Sequence, residues 1–376
     1  MAGLYLHIPF CRKACIYCDF HFSTSLSRKE EMVEAICLEL ERRKDFFGQT
    51  KELNSIYFGG GTPSVLSRAE LEKIFHTIHT CWHVREGAEI TLEANPDDLD
   101  QAYLKELSKT PVNRLSIGIQ SFDEEVLQWM NRSHSAQQAL RCIPMAQDAG
   151  FENLTMDLIL GIPGQSASRL GQNIQRLIDF EVPHASVYTL TVEEKTALAH
   201  QVKKGMVKVQ ADEVYEERFK LAHQLLEDGG FLHYELSNYA KEGWQAQHNS
   251  SYWNGAPYLG VGPSAHSFNG HTRSWNIANN AQYLRKLSEK GKAVEDQEKL
   301  SPEDLYHEYL MTHLRKAEGI SVSYIEAHFM QNWEQKFFQK LTEWLQSGHL
   351  IKEGDRIFCS LDGWIVSDQI ISDFFL

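Results

Sequence analysis

Leu4-Tyr-Leu-His-Ile-Pro-Phe-Cys11-Arg-Lys-Ala-Cys15-Ile-Tyr-Cys18 sets the reading of the whole chain. Leu4 to Ile8 has the length and apolar character of a short strand, and three thiols follow it directly. A loop this short lets Cys11, Cys15 and Cys18 converge on one inorganic centre. Three ligands are an incomplete set for a cubane iron-sulfur cluster, which takes four cysteines, so one iron would keep an open position able to bind substrate. The alternatives are a zinc knuckle completed by His21 and buried, unliganded cysteines. The other four cysteines, Cys37, Cys81, Cys142 and Cys359, are scattered. An odd total with one tight cluster points to metal binding rather than disulfides, in a reducing, cytosol-like compartment.

Outward from this strand, five further apolar runs read as strands: Ser55 to Phe58, Glu89 to Glu93, Arg114 to Ile119, Leu154 to Leu160 and Ala185 to Leu190. Amphipathic stretches fall between them, among them Ser27 to Lys44, with Ser27 as N-cap and Glu30 three residues on, and Ser67 to Thr80, with Glu70 in the same relation. Six βα repeats predict an α/β fold built on a parallel sheet, a partial (β/α)6 barrel with its chemistry at the carboxyl ends of the strands. This core is expected to span residues 1–235. A turn-rich, aromatic connecting region (236–295) carries Tyr239, Trp244, Tyr252, Trp253, Tyr258, Phe268 and Trp275. From 296 to 376 a mostly helical, winged-helix-like domain is predicted, starting at Ser301-Pro-Glu-Asp304, with a helix through Leu341 to Leu345, Gly348 and a hairpin through Ile351 to Phe358.

The 376 residues suffice for two or three domains at roughly 150 each. A formal charge of -14 without a segregated basic patch argues against nucleic acid as partner. No uncharged apolar run reaches the roughly 18 residues of a membrane helix, and no signal peptide is evident. These readings predict a cytoplasmic protein, whose acidic surface can meet basic patches on a partner and leaves room for peripheral membrane contact.

Cys-x3-Cys-x2-Cys at the end of a first strand resembles the signature of the radical S-adenosylmethionine (SAM) enzymes. The resemblance implies that Cys11, Cys15 and Cys18 hold a [4Fe-4S] cluster whose open iron chelates SAM, and that an electron from the cluster cleaves SAM to a 5'-deoxyadenosyl radical. Gly59-Gly-Gly61-Thr62-Pro63 follows the second strand and corresponds to the turn that holds the methionyl group of SAM, which assigns Gly61 and Thr62 to that role. By itself a glycine turn is weak evidence of binding. Arg114-Leu-Ser-Ile-Gly-Ile-Gln120, Asn131-Arg132 and Asp157-Leu-Ile-Leu-Gly-Ile-Pro163 narrow the resemblance to the coproporphyrinogen III oxidase-like branch. There Glu93, Gln120, Arg132 and Asp157 match the polar residues around SAM, Asp157 as a ribose acceptor. Read alone, each is equally a satisfied polar residue at a strand end. Tyr5 matches an aromatic beside the site, or packs in the core.

Within that branch the oxidases, which decarboxylate propionates of coproporphyrinogen, carry a further cysteine where this chain has Phe20, and an N-terminal extension before the first strand. The sequence is more similar to the HemW family of heme chaperones, in Asp19-Phe20 after Cys18 and in His248-Asn-Ser-Ser-Tyr252-Trp253, a His-Asn-x-x-Tyr-Trp motif. The resemblance implies heme as cargo, an acceptor hemoprotein, respiratory in kind, as partner, and a homodimer coupled to cluster binding. Imidazoles ligate heme iron and aromatic rings pack on the macrocycle, so His248 with Tyr252 and Trp253 is the expected heme site. His266 is the rival ligand, a buried turn-capping histidine the plainer reading of His248, and His7 is expected to be structural. The oxidase is the alternative function.

Overall fold

The computed structural model describes residues 2–50, 52–329 and 334–375, with only the backbone of 334 and 335. Six parallel strands lie side by side in chain order: β1 (Gly3–Ile8), β2 (Glu52–Gly60), β3 (His83–Ala94), β4 (Arg114–Gln120), β5 (Asn153–Leu160) and β6 (His184–Thr189). Each expected strand is present, β2 and β3 being longer than their apolar cores. Period-two alternation decides what each strand presents to either side. On β1, Leu4, Leu6 and Ile8 are buried against Met32, Ile36 and Leu40 of the helix Lys29–Arg42, while Tyr5 and His7 face the concave side. The same alternation puts Tyr57, Glu93, Arg114, Ser116, Asp157 and Tyr188 in the lumen, where they meet one another.

The six strands do not close on each other. Beyond β6 the sheet continues antiparallel through Asn238–Ala240 and Leu232–Glu235, and beyond β1 through a parallel strand, Tyr258–Val261, and three antiparallel ones, His266–Phe268, Thr272–Asn276 and Val294–Lys299. The result is a partial barrel inside a 12-stranded mixed sheet. The aromatic connecting region therefore supplies strands to this sheet, together with the helices Gln247–Trp253 and Asn280–Lys290.

Two helix starts tested the capping argument with opposite outcomes. The helix Arg68–Cys81 begins in a full capping box of Ser67 and Glu70. The first helix begins at Lys29 with Arg28 at the N-cap and no side-chain cap, while the Ser27 and Ser25 hydroxyls bond each other at 3.0 Å. Ser301 and Asp304 form the expected box at Pro302–His313. That helix, Val322–Phe329 and Glu334–Gln346 pack with the hairpin Leu350–Glu353/Arg356–Cys359 and the short strand Ile320–Ser321 around a second core that includes Leu310, Ile325, Phe337, Leu341, Ile357 and Trp364. Helices on a small antiparallel sheet are the winged-helix-like arrangement expected. Phe219, from the helix Asp212–Asp228, joins this core and fastens it to the barrel.

Candidate cluster and ligand site at the barrel mouth

The cysteine loop leaves β1 at its carboxyl end, and each of its turns is held by the tops of neighbouring strands. Arg12 Nε donates to Asp98 at 2.5 Å, Ile16 N–H to the Met130 carbonyl at 3.1 Å, and Asn131 Nδ2 to the Ala14 carbonyl at 2.7 Å. Two donors reach sulfur itself: Thr62 Oγ1 to Cys11 and Arg132 Nη1 to Cys15, each at 3.4 Å. Arg132 also donates to Asn95 Oδ1 and the Gly118 carbonyl, both at 2.7 Å. It thus ties the loop to β3 and β4, and places a cation beside the thiols. Burial pushes Cys11 up to about 11 and Cys18 up to about 12, so both thiols stay protonated until a metal displaces the proton.

Among the described residues no three His, Cys, Asp or Glu side chains close on a single ion. His21, the expected fourth ligand of a zinc knuckle, bonds Asn280 Oδ1 through Nε2 at 2.7 Å. A multi-iron cluster needs sulfurs spread around it, one per iron, rather than converged on a point. The three cysteines on a braced loop, with donors aimed at two sulfurs, fit that group.

The glycine turn at the end of β2 has a different cause from the one its sequence suggested. A Cβ on Gly61 would lie 2.6 Å from the Phe10 carbonyl oxygen, and one on Gly60, at φ +102°, 2.4 Å from His7 Nδ1. The absence of side chains lets the ends of β1 and β2 meet. The N–H of Gly61 donates to Ile8 and that of Thr62 to Phe10, so these amides are spent within the chain. Thr62 contributes through its hydroxyl, which the Asn95 amide also bonds at 3.3 Å.

Below the loop, the lumen carries a charge imbalance. Glu93 accepts from Tyr57 at 2.7 Å and from the Gly60 N–H at 3.2 Å, while Ser116 donates to Asp157. Burial raises Glu93 to about 7, with nearby Asp157 adding to it, and burial raises Asp157 to about 6. Two carboxylates under-compensated by the chain form a place for a cationic ligand such as a sulfonium carrying an ammonium group. Gln120 stands at the rim in a left-handed conformation, φ +63°, strain of the kind concentrated at ligand sites. Tyr5 lines the same space, its ring stacked beside Tyr57 at 6.1 Å. Tyr5, Thr62, Glu93, Gln120, Arg132 and Asp157 therefore gather at the mouth with the cysteines. Asn95 and Tyr17, which share Arg132, belong there too. Asn95 stands in the Glu-Ala-Asn-Pro segment that ends β3, and only its position across from Arg132 reveals its part.

His248 is elsewhere. Its ring lies 3.3 Å from where a Cβ of Gly3 would be, at the amino end of β1, about 16 Å along the strand from the cysteine loop. Nδ1 bonds Ser55 Oγ at 2.7 Å, Nε2 bonds Tyr252 OH at 2.8 Å, and the ring stacks on Tyr57. Its helix, Gln247–Trp253, is capped by the Glu89 carboxylate, which accepts from Gln247 N–H at 2.8 Å and His248 N–H at 2.9 Å. In this structure His248 offers no free nitrogen to heme iron; it plugs the floor of the barrel. His7 has the structural role expected, bonded to the His21 carbonyl and to Tyr5 OH.

A cleft of about 1650 Å³ opens from the seam of the barrel toward the C-terminal helices. Tyr5, Phe20 and Tyr188 line it on one side, and Tyr309, His313 and Arg356 on the other. Phe20 is 66% exposed there. No helix among the described residues is long and apolar enough to cross a membrane.

Comparison with known proteins places the chain in a family. Residues 5–177 match the profile of the Radical SAM superfamily, and residues 300–366 that of the HemN C-terminal domain. The chain is 31% identical to the heme chaperone HemW of Bacillus subtilis (strain 168), over 100% of this chain and 99% of that protein. It is 32% identical to the mitochondrial Radical S-adenosyl methionine domain-containing protein 1 of Danio rerio, over 100% of this chain and 87% of that one. Its fold matches the structure of the coproporphyrinogen III oxidase HemN from Escherichia coli with a TM-score of 0.86, at 21% identity, over 100% of this chain and 90% of that one.

Proposed function

Because the chain belongs to the HemW family of the radical SAM superfamily, we propose that it is a heme chaperone that holds a [4Fe-4S] cluster and SAM at the barrel mouth, binds heme and passes it to a target hemoprotein in the cytoplasm. The observation that carries this reading is similarity to HemW proteins along the full chain, joined to three cysteines braced over a lumen whose buried carboxylates are held above their usual range.

In the proposed site Cys11, Cys15 and Cys18 hold the cluster. Thr62 and Arg132 keep the sulfur loop in place through the hydroxyl and guanidinium bonds described above. Glu93 and Asp157 receive the positive end of SAM and its ribose hydroxyls, with Gln120 and Tyr5 closing the rim. The Gly61 turn contributes its carbonyl side, since its N–H is spent. When bound, such a cluster supplies one electron and an open coordination position next to SAM. The residues of this chain align the two and exclude water from the space between them.

Anaerobic reconstitution tests the first half. About four irons per chain and a spectrum changed by SAM support it, while stoichiometric zinc without iron rejects it. Incubation with coproporphyrinogen, SAM and reductant tests the second. Transfer of heme to an apo-hemoprotein without decarboxylation supports a chaperone, and decarboxylation would make the chain an oxidase.

A further inference from the structure

On the reading that this chain carries heme, we propose that the heme iron is ligated by His313 Nε2, on the C-terminal wall of the cleft, with the propionates directed to Lys316 and Arg356. A heme ligand must be a neutral imidazole with one nitrogen free, and its other nitrogen is ordinarily fixed by a backbone carbonyl. His313 meets each condition. Nδ1 lies 3.0 Å from the Tyr309 carbonyl, which can only accept, and 2.9 Å from Thr312 Oγ1; with the proton on Nδ1 the lone pair is left on Nε2. Nε2 has no hydrogen-bond partner among the described residues, and the ring is held in place by stacking on Tyr309 at 4.0 Å. Burial first, then the charge of Lys316, holds His313 down to about 4, so it is uncharged at neutral pH.

The other histidines of the cleft are less suited. His7 and His21 have their Nε2 engaged, by the His21 carbonyl and by Asn280. His266 and His271 are exposed and lack such an anchor for the ring. His328 repeats the His313 geometry on the Tyr324 carbonyl, but is exposed.

The charge around His313 suits a flat ligand with two carboxylates. Lys316, with an 11% exposed side chain, donates to Asn254 Oδ1 at 2.8 Å and lies 3.9 Å from the exposed Glu318. Arg356 makes no ion pair among the described residues, and its charge, like that of Lys316, reaches His313. Two cations whose charge reaches one available nitrogen complement an iron flanked by two propionates. Tyr309 and Tyr324, themselves stacked at 4.8 Å, supply aromatic surface at the same wall.

The test is hemin titration of the full chain, followed in the Soret region. His313→Ala should lose the histidine-ligated band, and added imidazole should restore it. His248→Ala and His266→Ala should leave the band position unchanged. His313→Met, which keeps a ligand of another kind, should move the band rather than abolish binding, and its far-UV spectrum reports whether the fold survives. Arg356→Gln should weaken hemin about tenfold, 1.4 kcal/mol, and leave hemin dimethyl ester unaffected. An unchanged Soret band in His313→Ala, or loss of the band in His266→Ala or His328→Ala instead, overturns the ligand assignment alone. A wild-type chain that binds no hemin overturns the chaperone reading, and this inference with it.

Discussion

Replacing Gly60 by alanine isolates the physical reason for the glycine turn. At φ +102° an alanine carries backbone strain of about 1–3 kcal/mol. Its Cβ would also stand 2.4 Å from His7 Nδ1, closer than any carbon tolerates. His7 is buried and cannot swing aside without giving up its bonds to the His21 carbonyl at 2.8 Å and to Tyr5 OH at 3.2 Å, worth about 0.5–1.5 kcal/mol each. The variant should therefore lose about 2–6 kcal/mol, a large share of the roughly 5–15 kcal/mol that holds a folded protein together. Urea unfolding of wild type, Gly60→Ala, His7→Ala and the double variant completes a cycle. The steric part should appear as a coupling of about 1–3 kcal/mol, while the strain part persists when His7 is gone. If Gly60→Ala is within about 0.5 kcal/mol of wild type, the surface-substitution range, or costs the same in both backgrounds, the turn is not there to pack β1 against β2. Its glycines would then serve a ligand alone.

Arg132→Met removes two 2.7 Å bonds from a buried guanidinium and strands Asn95 Oδ1 and the Gly118 carbonyl; at about 1.5–3 kcal/mol for each charged bond it should destabilise the chain by about 3 kcal/mol or more and lower iron retention after reconstitution, measured by urea unfolding and iron content. Glu89→Gln should cost about 3–5 kcal/mol, because Arg114, buried with its Nε 3.9 Å from Glu89, loses its carboxylate and only one of the Gln247 and His248 amides keeps an acceptor; a urea midpoint equal to wild type would contradict this. Glu93 and Asp157, raised to about 7 and about 6 from usual values near ~4.3 and ~3.9, contribute stability to the ligand-free chain that is complete below about pH 4 and is lost as pH rises through about 6–7. Glu93→Gln should flatten that decline in unfolding free energy between about pH 4 and 7, and SAM affinity, which needs the carboxylates ionised, should rise across the same window.

Much of the fold was legible because it rests on local pattern. Apolar runs between amphipathic stretches located β1 to β6, and Ser67 with Glu70 marked a helix start through bonds spanning three residues. Ser27 with Glu30 shows where such reasoning stops, since the Ser27 hydroxyl bonds Ser25 and the helix starts at Lys29 without a side-chain cap. The cysteine spacing was equally local, and so were the residues at strand ends: period two sends Glu93 and Asp157 to the concave side once the strands are known.

What depends on distance in sequence had to wait for the packing. His248 looked available because an imidazole among aromatics in a motif has ligand chemistry; it took Ser55, 193 positions away, and Glu89, 159 away, to show it closing the barrel floor. Gly61 and Thr62, matched in sequence to the turn that holds SAM, have their amides bonded to the Ile8 and Phe10 carbonyls. Spacing along the chain therefore named the thiols and the strands by itself. Which imidazole nitrogens are engaged, and which carboxylates are buried, depends on the tertiary structure, because both turn on desolvation and on hydrogen-bond partners contributed by remote segments.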